Sequence, residues 1–247
     1  MFQQLFRSFF QKPYNGSVGK NNELNRQQWV ARQLQALPAG LKILDAGAGE
    51  MQYKQYCGHL DYFSQDFAGY DPKQLPSGLQ MEQWDYGELD YVCDIASIPV
   101  SAESFDVILC TEVFEHIVHP LETLREFNRI LKKGGKLILT APFCSLTHFA
   151  PYHFYTGFSR FFYETQFKEM GYELEELSSN GNYFEYVAQE LRRLKSVAHT
   201  YSTNSSLTTS ELASIQVLLT KLDTLSAKDT GSSALLCYGF HVVACKR

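Results

Sequence analysis

No block of five or more basic residues occurs anywhere in this 247-residue chain, and its formal net charge is -5. A broad nucleic-acid surface needs clustered Lys and Arg, so no nucleic-acid partner is expected, with only a small patch assembled by folding left open. Cys-x-x-Cys spacing is absent too. The six cysteines, Cys57, Cys93, Cys110, Cys144, Cys237 and Cys245, stand apart, several inside apolar runs. That pattern reads as buried thiols in a reducing cytoplasm rather than a disulfide framework or a zinc site. No metal motif is present, so no metal is expected, although ligands assembled from distant positions stay open. No apolar run reaches the ~20 residues of a membrane-spanning helix. No signal peptide is expected at the N-terminus, because Phe2, Leu5, Phe6, Phe9 and Phe10 are separated by Gln3, Gln4, Arg7 and Gln11. An amphipathic helix is expected there, open to four uses: packing on its own domain, a lid, a dimer contact or a membrane-surface anchor. The chain is expected to be cytoplasmic, as a monomer or homodimer.

What is abundant is core material. Hydrophobic residues make up 45% and aromatic residues 14% of the chain, enough for one large domain with an appendage. Asn22 to Leu37 has a helical apolar face of Leu24, Trp29, Val30, Leu34 and Leu37, closed by Pro38-Ala-Gly40. Strands are expected at Leu41–Leu44, Asp61–Gln65, Tyr91–Ile95, Phe105–Cys110, Lys136–Thr140 and Tyr172–Leu177. Helices are expected at Tyr53–Leu60, Leu121–Leu131 and Ser159–Met170, the last with Ser159 as N-cap. This alternation predicts an α/β fold with a parallel, doubly wound sheet covered on both faces. The tail breaks the rhythm with a helix over Tyr183–Val197, a Ser/Thr-rich loop over Thr200–Ser210, and a helix opened by a Thr208/Glu211 capping box and running to about Leu225. A turn at Lys228–Ser232 and a last strand over Ala234–Ala244 follow. The expected organisation is an N-terminal helical cap (1–40), an α/β core (41–177), a helical insertion (178–229) and a final core strand (230–247).

Chemistry concentrates first at Lys42-Ile-Leu-Asp45-Ala-Gly47-Ala-Gly49-Glu50. An apolar run ending in an acid and two closely spaced glycines is a strand turning sharply into a ligand crevice, where glycine lets backbone approach a ligand. A dinucleotide site would carry Gly-x-Gly-x-x-Gly, but Gln52 holds the third glycine position, and Glu50 is a poor neighbour for a pyrophosphate. Asp45 and Glu50 suit a cationic, amine-bearing ligand instead. Asp45-Ala-Gly47-Ala-Gly49 resembles the first motif of the class I S-adenosylmethionine-dependent methyltransferases, and four later segments extend the likeness over residues 41 to 141.

The resemblance implies a Rossmann-like seven-stranded sheet with an antiparallel last strand, and S-adenosyl-L-methionine as cofactor. It implies that Asp66, about twenty residues after the glycine loop, binds the ribose hydroxyls, with Asp71 as the competing acid and Phe67 beside the adenine. Asp94-Ile95 is similar to the motif whose acid accepts from the adenine amino group. Ser104-Phe-Asp-Val-Ile-Leu-Cys110 is similar to the fourth strand, and Glu112-Val-Phe-Glu-His116 to the segment after it. Backbone at Cys110 and the side chain of Glu112 would then face the methionine part, with His116 structural. Leu131-Lys-Lys-Gly134-Gly135 is similar to the turn into strand five, Lys133 replacing the usual proline.

The acceptor would bind along Ala141-Pro-Phe-Cys-Ser-Leu-Thr-His148-Phe-Ala-Pro151-Tyr152-His153-Phe-Tyr155, at the mouth of the sheet. His148 and His153 titrate near neutrality, so either can be the general base that a hydroxyl acceptor requires. His148-x-x-Pro151-Tyr152, Phe158-Ser159 and Met170-Gly171-Tyr172 resemble a subgroup of the type 11/23 methyltransferases associated with cell-surface polysaccharides, with His153 where an Asp is usual. The expected activity is therefore methylation, at oxygen, of a small-molecule or glycan-type acceptor. A non-catalytic partner-binding module of the same fold is the alternative.

Overall fold

The computed structural model describes residues 15–73, 78–203 and 206–247, so the helix expected over Phe2–Gln11 and part of the Ser/Thr-rich stretch lie outside the described residues. The described residues form two compact units: Leu24–Asn180 with Gly239–Arg247, and Asn15–Glu23 with Gly181–Tyr238.

The first unit is built on seven strands: β1 Lys42–Ala46, β2 Asp61–Asp66, β3 Tyr91–Val92, β4 Phe105–Thr111, β5 Leu131–Pro142, β6 Tyr172–Asn180 and β7 Gly239–Lys246. They lie in the order β3-β2-β1-β4-β5-β7-β6. The pairs among β1 to β5 are parallel, while β7 runs antiparallel to β5 and β6. This is the expected Rossmann-like sheet with its antiparallel last strand. The central strands carry near-continuous apolar runs because both faces are covered. Ile43, Val107, Leu109, Ile138 and Val243 meet Trp29, Val30 and Leu34 of α1 (Asn22–Gln35) on one face. Leu44, Ile108 and Leu137, one position along their strands, point to the other face and are fully buried. Helix α2 (Pro120–Ile130) buries Leu124, Phe127 and Ile130, and α3 (Arg160–Glu169) buries Tyr163 and Phe167. Tyr163 packs at 5.9 Å from Phe240, and Phe167 at 5.4 Å from Tyr172.

Several boundaries differ from expectation. Tyr53–Leu60 forms only a 3-10 turn at Lys54–Tyr56, because Tyr53 and Cys57 already anchor the short crossover in the core. β5 begins at Leu131, since Gly134-Gly135 shifts the register against β4 between Phe105 and Val107 without ending the strand. The final strand starts at Gly239; a 3-10 turn occupies Ser232–Ala234, and Leu235 is 70% exposed. Ser159 precedes α3 but makes no capping hydrogen bond.

In the second unit, α4 (Tyr183–Tyr201) and α5 (Thr209–Ser226) bury Ala188 and Leu219 against Val18. Asn182 caps α4 by accepting from the Glu185 N–H, and the Thr208/Glu211 capping box opens α5 as expected. Arg192 donates to the carbonyls of Val18 at 2.7 Å and Gly16 at 3.0 Å, fastening that segment along α4. Among the described residues, no helix is long and apolar enough to cross a membrane.

Candidate active site

The strand order reverses between β1 and β4, which is where an open α/β sheet leaves a crevice at the carboxyl ends of its strands. β1 ends at Ala46, and Gly47 and Gly49 follow with φ of 74° and 50°. Both conditions for glycine hold here: left-handed backbone and close approach. A Cβ on Gly47 would fall 2.5 Å from a Val113 methyl, and one on Gly49 would fall 2.8 Å from the Trp84 ring. The amides of Gly47 and Ala48 both donate to the Gln65 carbonyl at 2.9 Å, and the Gly49 amide donates to Asp66 Oδ2 at 3.0 Å. The loop is thereby tied to the end of β2.

The acids expected to hold the cofactor occupy different environments. Asp45 is 2% exposed and accepts from the Tyr62 hydroxyl at 2.8 Å. Burial pushes its carboxyl up to about 7, against the pull of that hydrogen bond. Asp66 is also buried and caps the turn after β2 by accepting from the Ala68 amide at 3.0 Å; burial raises its pKa. Phe67 beside it is half-exposed, and its ring meets Tyr152 edge-on at 4.9 Å. Glu50 is exposed and accepts from the Asp85 amide at 3.3 Å. Asp94 is exposed and caps its own turn through the Ala96 amide at 2.8 Å, whereas Ile95 is buried. The Cys110 thiol is wholly buried, and burial drives its pKa well up. Glu112 has φ 53°, accepts from Thr140 Oγ1 at 2.9 Å and pairs with Arg26 at 3.2 Å. Its carboxylate is thus already committed to two protein partners. Asp71 lies on an exposed turn and accepts from the Lys73 amide.

Sequence reading missed one wall of the crevice. In the long connection between β2 and β3, Tyr70, Trp84 and Tyr86 form an aromatic cluster with Phe149 from the loop after β5. Tyr70 lies 4.5 Å and Trp84 5.0 Å from Phe149. The two loops pair through a bridge between Leu79 and His148, with the Leu79 amide donating to the Thr147 carbonyl at 2.8 Å. The length of this irregular connection was the available signal, since such loops commonly carry function.

The histidines of the acceptor strip converge on the turn after β4. The Glu115 carbonyl accepts from the amides of Phe154 at 2.9 Å and Tyr155 at 3.2 Å, which fastens the strip onto that turn. The Glu115 side chain is 1% exposed, and neither carboxylate oxygen has a hydrogen-bond partner among the described residues. His116 Nε2 and His148 Nε2 each lie 3.7 Å from Glu115 Oε1, beyond hydrogen-bond reach. His116 turns its Nδ1 to the Tyr152 carbonyl, and His148 turns its Nδ1 to the Leu146 carbonyl at 2.8 Å. Burial pushes His148 down, but Glu115 beside it wins and leaves its pKa raised; His116 is lowered by burial. His153 lies 5.0 Å from His148, ring centre to ring centre, and is lowered by burial and by its two imidazole neighbours. Its Nε2 sits 3.1 Å from Ser145 Oγ, which donates to the Thr156 carbonyl at 2.9 Å. The Ser145 oxygen then accepts from His153 Nε2–H, assigning the free lone pair to Nδ1.

Comparison with known proteins identifies the family and the fold. A family model for the methyltransferase domain matches residues 20–195. The ubiquinone biosynthesis O-methyltransferase of Xanthomonas axonopodis pv. citri (strain 306) is 33% identical over 122 residues, covering 47% of this chain and 48% of that protein. This chain thus spans about half the length of that relative. Two solved structures share the fold. A provisionally assigned sarcosine dimethylglycine methyltransferase from Galdieria sulphuraria has a TM-score of 0.57 at 15% identity, covering 94% of this chain and 91% of that one. The phosphoethanolamine N-methyltransferase 2 of Haemonchus contortus, in complex with S-adenosyl-L-methionine, has a TM-score of 0.52 at 16% identity, covering 90% and 52%. With its glycine turn at the β1/β4 switch point and the antiparallel β7, the chain belongs to the methyltransferase-domain family, with the class I fold whose cofactor is S-adenosylmethionine.

Proposed function

We propose that this protein transfers the methyl group of S-adenosylmethionine to an oxygen of a small-molecule or glycan-type acceptor. The observation that carries the reading is that the glycine turn after β1 and the histidine-bearing strip after β5 share Trp84, which lies against Gly49 and 5.0 Å from Phe149. In this reading Asp45, Gly47, Gly49 and Glu50 receive the methionine end, with Cys110 and Glu112 nearby. Asp66 takes the ribose hydroxyls, and Phe67, Asp94 and Ile95 flank the adenine. Asp66 would exchange its bond to the Gly49 amide, or share it, when the hydroxyls arrive.

Methyl transfer is a displacement at an already activated carbon, so the protein must mainly align the acceptor oxygen with the sulfonium methyl and keep water out. The aromatic wall of Tyr70, Trp84 and Phe149 suits both tasks, and suits stacking on a ring or sugar face. A hydroxyl acceptor must lose its proton. Of the two candidate bases, His153 has the better supported role, because its Nδ1 carries an uncommitted lone pair while His148 Nε2 is turned toward Glu115. Oxygen as the target also fits the relative from Xanthomonas, whose name records O-methylation. The test is transfer of labelled methyl from S-adenosylmethionine to a panel of phenols, sugars and amines. Label in the hydroxyl compounds supports the reading; label confined to the amines would move it to nitrogen.

A further inference from the structure

We infer that Glu115, His116 and His148 form a site for one divalent transition-metal ion at the acceptor mouth. Three residues drawn from the turn after β4 and the loop after β5 bring one ligand atom each to within 4.8 Å of one another. Bonds of about 2.0–2.2 Å place neighbouring ligand atoms roughly 3.3–3.6 Å apart. The two Glu115–imidazole separations are both 3.7 Å and the third pair lies within 4.8 Å, so an ion would draw the three side chains inward, the two imidazoles most.

Three further observations point to a ligand. The first is the Glu115 carboxylate, which is almost fully buried and accepts no hydrogen bond at either oxygen, with the two imidazole Nε2 atoms 3.7 Å from Oε1. A buried carboxylate without donors is strongly unfavourable, and a divalent cation would supply the missing charge. The second is the tautomers. Each imidazole commits Nδ1–H to a backbone carbonyl, Tyr152 for His116 and Leu146 for His148. That leaves both Nε2 lone pairs aimed at the Glu115 side chain, the arrangement in which protein histidines bind metals. The third is access. His148 is 23% exposed, so the cluster is reached from solvent. Two imidazoles and one carboxylate suit zinc, cobalt or iron(II) better than magnesium or calcium, which prefer all-oxygen ligands.

The proposed ion deepens the methyl-transfer reading only in what it would do there. An acceptor hydroxyl bound at the open position becomes easier to ionise. Its proton leaves to His153 Nδ1, and the oxygen lone pair forms the new C–O bond. The sulfonium C–S bond breaks with its electron pair going to sulfur, releasing S-adenosylhomocysteine. The acceptor class implied is one with an ionisable hydroxyl.

The test uses the full chain, stripped with a chelator and titrated with cobalt(II) while visible absorption and heat are recorded. The expected result is saturation at one ion per chain, with visible d–d bands that zinc then displaces. Glu115→Gln and His148→Ala should each weaken binding by more than the roughly 10–100-fold that loss of an outer-shell partner costs, while His153→Ala leaves stoichiometry and affinity unchanged. Thermal melts of each variant identify any that fails to fold, and the other variant then carries the comparison. Absence of cobalt bands, or equal affinity in the folded variants, overturns the site. S-adenosylmethionine binding is measured on the same stripped samples. Cofactor binding without cobalt binding sinks the metal site alone, and cobalt binding without cofactor binding sinks the methyl-transfer reading alone.

Discussion

Replacing Asp45 by Asn should flatten the pH dependence of folding stability in the neutral range. The carboxyl is 2% exposed and its pKa is pushed up from 3.8 to about 7 by burial. A raised folded-state pKa means that the native protein holds a proton that the unfolded chain has already released. Stability from this group is therefore fully present below pH 3.8 and is lost as pH rises through about 7. Between about pH 5 and pH 8 the native state traverses roughly two pH units in which only it is protonated, a difference of roughly 2–3 kcal/mol at 1.36 kcal/mol per unit. Asn keeps the acceptor for the Tyr62 hydroxyl but cannot ionise. Urea denaturation of both proteins at the two pH values reads the effect. The wild-type protein should lose roughly 2–3 kcal/mol more than the variant between the acidic and the alkaline measurement. Equal pH slopes would refute the argument, because they would mean that the Asp45 carboxyl is ionised in the native state from the start.

Other outcomes follow from the same structure. His241 is buried, stacks on Trp29 at 4.7 Å and is pushed down from 6.5 to about 4 by burial and by Arg26. Stability should therefore fall by roughly 3 kcal/mol as pH drops from 6.5 towards 4, and His241→Phe should remove that acid limb in chemical denaturation. Gly49→Ala must hold φ 50° and bring a Cβ within 2.8 Å of the Trp84 ring, so cofactor affinity by calorimetry should weaken about tenfold or more; an unchanged Kd would show that Trp84 moves freely. His153→Ala should lower kcat by about 100-fold with little change in cofactor Kd, and equal turnover by the variant would remove its role as base.

Much of the sheet was legible because its strands are buried on both faces. Ile43-Leu44 and Phe105–Cys110 announce themselves as apolar runs that no surface element would carry. The Thr208/Glu211 box was equally readable, because a capping box is a local, two-residue device. The misplaced elements lack such local causes. Leu235-Leu236 reads as strand, yet the turn at Ser232–Ala234 leaves Leu235 in solvent and pairing begins only at Gly239.

At the site, the glycine turn was visible as a pattern, but the reasons for its glycines, Val113 and Trp84, come from distant chain. The Glu115, His116 and His148 cluster joins positions 32 residues apart across two adjacent strand ends, and no spacing rule encodes it. The pairing of Glu112 with Arg26 and Thr140 likewise joins distant positions that no local pattern announces.

A functional S-adenosylmethionine site at the β1/β4 switch point has a direct signature in solution. Calorimetric titration of the purified protein with S-adenosylmethionine and then S-adenosylhomocysteine tests it most directly, with Asp66→Ala as the paired variant. Both ligands should bind at one per chain in the micromolar range, weakened by at least about tenfold in the variant because the ribose hydroxyls lose their acceptor. No binding of either ligand to the folded wild-type protein, or undiminished binding to the variant, would contradict it.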